Sequence, residues 1–460
     1  MGIKDIHCDE LSRKIWSLSN VLRDDGIVFH KYMSELTYLL FLKIADQSGR
    51  NAALPQGCRW GDLVGQPMRG LVGRYRKMLT RLGEDSESRI VCEIFGFPTT
   101  VFAHDENLHK VVHEIDRLDW AAISTDAFGL IYESLLERNA TEARAGAGQY
   151  FTPRALVDSI VRVMAPQGGG TIQDPAAGTG GFLTSAHEYL VRSKKPGASR
   201  TRYEGVEIER DTYRLCLMNL YLHNMEGVVV HGDALTEDVA QLSSPDLILA
   251  NPPFGSSAGG VRPRRSDLPF QTTNKQLMFL QHIYRSLGPG GRAAIILPDN
   301  VLFEPGVGRR VREDLMEACE LRVILRLPQG IFYAQGVNTN VLFLEAGRPT
   351  QRVAFFDMRT NVRRFNKRHP LTAAAFAEFE RTCTGIVSGT APNSDVKHDR
   401  LKLLSRSEIA GREDNLDYTW LKRGRSSSQI EDMDLLLGRI SEDLQSALRH
   451  IEEIDREILK

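Results

Sequence analysis

The stretch TIQDPAAGTGGFLTSAHEYLVRS, residues 171–193, changes rhythm within a few residues. It starts as a short strand, breaks at Pro175 and a run of glycines, and continues with helical spacing. A strand that feeds a helix through Gly178, Gly180 and Gly181 is the opening unit of an α/β sheet whose ligand sits at the carboxyl edge. Glycine is suited to that turn because it adopts φ > 0 freely and lets a ligand approach the main chain. The turn alone is a weak signal, and the rest of the chain must support it.

Downstream the same alternation repeats. RYEGVEIERDTYRLCLMNLYLHN reads as a strand and a helix, VVVHGDAL as a strand and a turn, and DLILANPPFG as a strand that ends on a corner. KQLMFLQHIYRSLGPGGRAAIILP reads as a helix, a turn and a strand, and LRVILRLPQGIF and NTNVLFLEA as two further strands. Strands alternating with helices predict an α/β fold with a mainly parallel sheet, its last two strands forming an antiparallel pair at the edge. Residues 350–425 carry no clear pattern; the basic cluster RTNVRRFNKRHP at 359–370 reads first as a solvated face.

Upstream, residues 1–148 read as helical. Leu11, Ile15, Leu18 and Leu22 fall at helical spacing, YMSELTYLLFLKIADQ is apolar on most of its face, and TDAFGLIYESLLERNATEA has Thr125 as its N-cap. At the other end, Ile430, Met433, Leu437, Ile440, Leu444, Leu448, Ile451, Ile454 and Ile458 recur at steps of three and four, a coiled-coil seam that needs a partner surface. The expected division is a helical N-terminal domain at 1–148, a catalytic domain at 149–400 and a helical tail at 401–460.

With 460 residues the chain exceeds one ordinary core. The first residues lack the apolar segment of a signal peptide, position 6 lacks the Ser or Thr of a myristoyl signal, and no apolar run is long enough to span a bilayer. Six scattered cysteines form no zinc-like set and read as free thiols of a reducing, cytoplasmic compartment, with no metal expected. A formal net charge of -1 neither favours nor excludes a nucleic-acid partner.

Acids mark the ends of three successive strands: Asp174, Glu207 and Asp233. An acid after the second strand commonly holds ribose hydroxyls, and one after the third can accept from an adenine amino group. Taken singly, Glu207 or Asp233 is equally a helix cap or an Asx turn. A G-x-x-x-x-G-K-[ST] phosphate loop is missing, which excludes the common nucleotide motors. A nicotinamide enzyme fits the acids but leaves the fourth strand end, Asn251-Pro252-Pro253-Phe254, without a purpose. Such a tetrad arises by chance in roughly one or two chains of this length per hundred.

DPAAGTGG followed by NPPF resembles the S-adenosylmethionine-dependent amino methyltransferases, and GQYFTPR at 148–154 resembles the upstream cofactor motif of N6-adenine DNA methyltransferases. Over residues 11–346 the chain resembles the modification subunit of type I restriction–modification systems, through IWSLSNVLRDD, FGLIYESLLE and LGPGGRAAIILPDNVLF among other segments. The resemblance implies a Rossmann-like methyltransferase fold and S-adenosyl-L-methionine as cofactor. It implies that Gln149, Tyr150, Phe151, Thr152, Pro153, Arg154, Asp174, Gly178, Thr179, Gly180, Glu207 and Asp233 contact that cofactor. Asn251, Pro252, Pro253 and Phe254 would receive a flipped adenine, with Phe332 packing on its other side or serving as an ordinary core residue. The implied partners are double-stranded DNA, a specificity subunit docked on the C-terminal helix, and a restriction subunit where the system has one.

An exocyclic adenine amine is a poor nucleophile because its lone pair is delocalised into the ring. The Asn251 side-chain oxygen and the Pro252 carbonyl accept its two hydrogens and hold the nitrogen towards tetrahedral geometry, which is catalysis by positioning and electrostatics. Phe254 offers a stacking face to a base taken out of the duplex. Cytosine C5 methylation needs a nucleophilic cysteine, usually in a Pro-Cys pair, and the chain has none. Two other readings stay open: a methyltransferase of the same fold acting on RNA or protein glutamine, and a non-catalytic DNA-binding scaffold.

Overall fold

The computed structural model describes residues 11, 13–18, 21, 29–120, 152–255, 265, 267–332, 337–365, 369, 371–390 and 398–421. Leu22, the helix expected at 125–143 with its cap Thr125, the motif residues Gln149, Tyr150 and Phe151, and the seam Ile430–Ile458 lie outside them.

Ahead of residue 152 the described chain has no strand. Its central element is α1 (Phe29–Gln47). From Leu36 to Ala45 every residue of it is buried, because YLLFLKIA presents apolar side chains on all sides. The one cation in that run, Lys43, donates to Asp116 at 2.8 Å, and the same carboxylate oxygen accepts the Trp60 indole N–H at 2.7 Å. Helices α2 (Leu71–Glu84), α3 (Arg89–Ile94) and α4 (Asp105–Asp116) complete this layer. Leu11 and Ile15 are buried and Leu18 is partly so, as their spacing predicts.

Glu35, on α1, is 1 % exposed and accepts the Val101 N–H at 2.7 Å. Burial raises its pKa to about 7 against the hydrogen bonds that would lower it. A carboxyl that keeps its proton when folded but loses it when unfolded stabilises the fold at low pH, and that stability is lost as pH rises through about 7. Glu35→Gln is therefore expected to flatten the fall in melting temperature between pH 4.5, the ordinary pKa of the group, and about pH 7. A thermal-shift series across that range checks it, and an unchanged slope would contradict it.

The remainder is a nine-stranded sheet in the order β3-β2-β1-β4-β5-β7-β6-β8-β9. In chain order these are α5 (Arg154–Met164), β1 (Thr171–Asp174), α6 (Gly181–Arg192), β2 (Arg202–Glu207), α7 (Arg210–Leu222), β3 (Gly227–His231) and β4 (Leu247–Ala250). There follow α8 (Lys275–Ser286), β5 (Arg292–Pro298), α9 (Val307–Ala318), β6 (Cys319–Arg326), β7 (Thr339–Ala346), β8 (Arg352–Asp357), α10 (Ala377–Val387) and β9 (Leu401–Ser405). Strands β1 to β5 pair in parallel. All four residues of both β1 and β4 are buried, as expected of strands covered on both faces.

The chain winds outward through β1, β2 and β3, then returns to place β4 on the other side of β1. Beyond the carboxyl ends of β1 and β4 lies the crevice where open α/β sheets bind ligands. The glycine turn follows β1 and the Asn-Pro-Pro-Phe corner follows β4, so the topology brings both motifs to that crevice.

The fold differs from the sequence reading at three points. β6 and β7 are antiparallel, but they are not the edge: β7 lies between β5 and β6, β8 adds in parallel to β6, and β9 closes the sheet. Both β6 and β7 are buried almost throughout, which an edge strand would leave exposed, whereas β9 has the mixed burial of an edge. The sheet thus continues to residue 405, past the expected boundary at 400. Arg359, first in the basic cluster, is also no surface charge. It pairs with Asp299 at 2.7 and 3.0 Å and donates to the carbonyls of Leu327 and Thr339, tying the ends of β5, β6 and β7 together.

The helical layer and the sheet share one hydrophobic core. Helix α7 carries the junction: Tyr221 packs on Phe41 with centroids 4.9 Å apart, and the Tyr213 hydroxyl donates to Glu93 at 2.7 Å. Arg214 donates to the carbonyls of Gly96 and Phe97. No described helix is long and apolar enough to cross a membrane.

Candidate active site

The site begins at the end of β1. Asp174 is 2 % exposed and accepts the Ala176 N–H at 3.0 Å, which shapes the first bend of the turn. Burial raises its pKa to about 8, with the neighbouring Glu207 carboxylate adding to the effect. The turn then passes through two left-handed glycines, for different reasons. At Gly178, φ is +55° and the space where a Cβ would point is open, with the nearest atom 4.0 Å away. At Gly180, φ is +82° and a Cβ would meet the Cys216 sulfur at 3.0 Å. Gly178 leaves room for a ligand, while Gly180 lets the turn pack on α7.

Glu207, at the end of β2, spans the turn and the next helix. Its carboxylate accepts the Gly178 N–H at 2.9 Å and the Glu209 N–H at 2.8 Å. Burial is the main force raising its pKa. A carboxylate has about four acceptor positions, so two main-chain bonds leave capacity for hydroxyls of a ligand. The structural and functional readings of Glu207 are therefore compatible. Asp233 follows β3 in an Asx turn, accepting the Leu235 N–H at 2.9 Å, and its own N–H donates to Asp238 at 2.9 Å.

Asn251 follows β4 directly. Its Nδ2 donates to the Thr152 hydroxyl at 2.9 Å. Its Oδ1 is buried and has no hydrogen-bond partner among the described residues. An unmatched buried acceptor costs about 1–3 kcal/mol, so the fold retains here an oxygen that awaits a donor. Pro252 is buried, Pro253 and Phe254 are half-buried, and the paired rings fix the backbone direction of the corner.

The Phe254 and Phe332 rings meet edge to face, centroids 6.3 Å apart at 75°. The structure thus brings these two residues together. A base sandwiched between two rings needs them parallel and about 7 Å apart, twice the contact distance of about 3.5 Å. Phe332 is 8 % exposed and joins the core, so in this arrangement it backs Phe254 and does not face it across a slot.

Arg154 has a structural part in the fold. Its guanidinium donates to Asp158 at 2.8 Å and Glu188 at 3.1 Å, bracing α5 against α6. Ser185 completes the brace by donating to Asp158 at 2.7 Å.

Two residues escape sequence reasoning. Asn219, fully buried on α7, donates to the Thr179 carbonyl at 3.0 Å and pins the glycine turn from behind. The available signal was a lone amide in the apolar run LCLMNLYL. Ile208, 52 % exposed between Glu207 and Glu209, sets an apolar face beside the acid.

The profile of the N-6 DNA methylase family matches residues 123–424. This chain belongs to that family. The type I restriction enzyme EcoKI methylase subunit of Escherichia coli (strain K12) is 38% identical over 508 aligned positions, covering 98% of this chain and 95% of that protein. The crystal structure of the EcoKI M protein covers 94% of each chain at 35% sequence identity, with a TM-score of 0.56. A type I methyltransferase subunit from Streptococcus thermophilus, 21% identical, superposes at a TM-score of 0.74 over 89% of this chain and 98% of that one, and shows the same fold. The protein is thus an N6-adenine DNA methyltransferase of the type I modification-subunit kind, on an α/β Rossmann-like frame.

For this methylase the acids at the turn carry a test. Asp174 binds its proton up to about pH 8 when folded, so the apoprotein loses stability as pH rises through that value. Asp174→Asn is expected to lessen the decline in melting temperature as pH rises to about 8, and to weaken binding of a cationic cofactor most at high pH, where the wild-type carboxyl has given up its proton and the amide cannot. Thermal shift with and without S-adenosylmethionine checks both. A variant that binds the cofactor as well as the wild type would contradict it.

Proposed function

We propose that this subunit transfers a methyl group from S-adenosyl-L-methionine to the N6 of an adenine swung out of duplex DNA. The observation that carries the reading is Asn251 Oδ1, a buried acceptor at the end of β4 without a donor among the described residues. The site's residues suit the cofactor. Asp174, buried, and Glu207, partly buried, are held towards their protonated forms by burial, and a positively charged ligand would favour their ionised forms. The open side of Gly178 gives it room, and Ile208 offers an apolar surface for its adenine.

Thr152, Asp174, Gly178, Thr179, Glu207 and Asp233 line the cofactor side in this reading, with Gln149, Tyr150, Phe151 and Pro153 from the upstream motif. Glu207 holds the ribose hydroxyls and Asp233 the adenine amine. S-Adenosylmethionine supplies a methyl made electrophilic by its sulfonium. Asn251 Oδ1 and the Pro252 carbonyl accept the two amine hydrogens and turn the nitrogen lone pair towards that methyl. Neither acceptor is a strong base. The proton therefore leaves after the nitrogen has gained the methyl and become acidic, and passes to solvent. Phe254 stacks on the extruded base, backed by Phe332.

Target choice is assigned to a specificity subunit that docks on the C-terminal helix, with a restriction subunit joining where the system includes one. The assembly works on chromosomal DNA in the cytoplasm. The test is the fate of tritiated methyl when the chain, co-expressed with its specificity neighbour, meets unmodified duplex DNA. Label recovered as N6-methyladenine is expected; label recovered in protein or RNA alone would overturn the substrate assignment.

A further inference from the structure

The contact between Thr152 and Asn251 joins two motifs that lie far apart in sequence. Thr152 ends the upstream segment, just before Pro153 and α5; Asn251 is the acceptor at the end of β4. Asn251 Nδ2 donates to Thr152 Oγ1 at 2.9 Å, while Oδ1 of the same amide has no partner among the described residues. An amide whose nitrogen is held by one neighbour has its oxygen aimed by the same bond. If that bond is lost, the side chain is free to rotate about its terminal torsion, which is broad and soft.

We infer that Thr152 is a positioning residue for Asn251: its hydroxyl fixes the amide so that Oδ1 faces the substrate amine. The inference rests on the proposed role of Asn251 as acceptor. The support for Thr152 is itself rigid. It precedes α5, and Arg154 on α5 is braced to Asp158 and to Glu188 of α6, whose first residue is Gly181 of the glycine turn. Arg162, near the other end of α5, makes a two-pronged pair with Glu380 of α10 at 2.7 and 3.1 Å. The brace sets the distance between Thr152 and the corner, so the hydroxyl acts as a fixed stop. The upstream segment thereby acts on the methyl acceptor's site as well as on the cofactor's.

The test compares Thr152→Val, which keeps the shape and loses the hydroxyl, with Thr152→Ser, which keeps the hydroxyl. Each is prepared with the specificity neighbour and assayed on unmodified genomic DNA in single turnover, with S-adenosylmethionine affinity measured separately. With S-adenosylmethionine saturating for each variant, Thr152→Val is expected to slow transfer by roughly 10- to 100-fold, whatever it does to cofactor affinity. Thr152→Ser is expected to retain the wild-type rate. In an Asn251→Ala background, Thr152→Val should add no further loss, because the hydroxyl then has nothing to orient. A Thr152→Val variant at wild-type rate, or one whose defect lies wholly in cofactor affinity, would overturn the inference. So would an additive loss in the double variant. Wild-type turnover of Asn251→Ala alone would instead remove the proposed role of the corner.

Discussion

Replacing Asn251 with alanine is expected to lower methyl transfer to duplex DNA by at least about a hundredfold, the scale of losing a positioned polar group in a water-excluded site. The fold should survive. The side chain is half-buried, and among the described residues one of its polar atoms is unmatched and the other bonds to Thr152. Cofactor affinity should survive as well, since Asp174, Glu207 and the glycine turn that joins them are held by contacts that do not involve Asn251. The loss then lies in the chemical step. Measuring binding by thermal shift and transfer by tritium release separates the two, and near-normal turnover would remove the acceptor mechanism.

The second large effect concerns assembly. Deleting residues 430–460 is expected to abolish co-purification with the specificity subunit while leaving S-adenosylmethionine binding intact. The seam from Ile430 to Ile458 is one apolar stripe with charged residues between. Each large apolar side chain fully buried in a helical bundle contributes about 1.5–3 kcal/mol. Removing the whole stripe therefore takes away more than a typical subunit interface can spare. A truncated chain that still assembles and methylates DNA would contradict the proposed docking.

The first strand and turn were legible in the sequence because strand ends, glycines and acids keep a local order: Asp174 ends β1 and Glu207 ends β2, while the bond from the Gly178 N–H to Glu207 emerges only in the fold. The Asn-Pro-Pro-Phe corner was legible for the same reason, since two prolines cannot extend a strand. The contact of Asn251 with Thr152 was not legible, because it depends on where α5 packs and not on any local pattern. The roles of Arg154 and Arg359 were hidden likewise. Each occurs in a segment that reads as ligand-binding or solvated, and only the fold shows the carboxylates that engage them. Strands β8 and β9 were missed because VAFFD and LKLLS are short runs beside charged residues, and their pairing is with partners distant in the chain. Phe332 reads as the end of a strand in LRVILRLPQGIF, but β6 stops at Arg326 and Phe332 packs into the core from the loop that follows, where Arg359 holds the Leu327 carbonyl.

The central claim is that Asn251 presents a DNA adenine amine to the cofactor's methyl. Its most direct test is single-molecule sequencing of the genome of a host lacking its own adenine modification, after co-expression of this chain with its specificity neighbour. N6-Methyladenine is expected at one recurrent sequence with the wild-type chain and none with Asn251→Ala at equal protein level. The same methylated adenines in both strains, or no methylated adenine with the assembled wild-type complex, would contradict it.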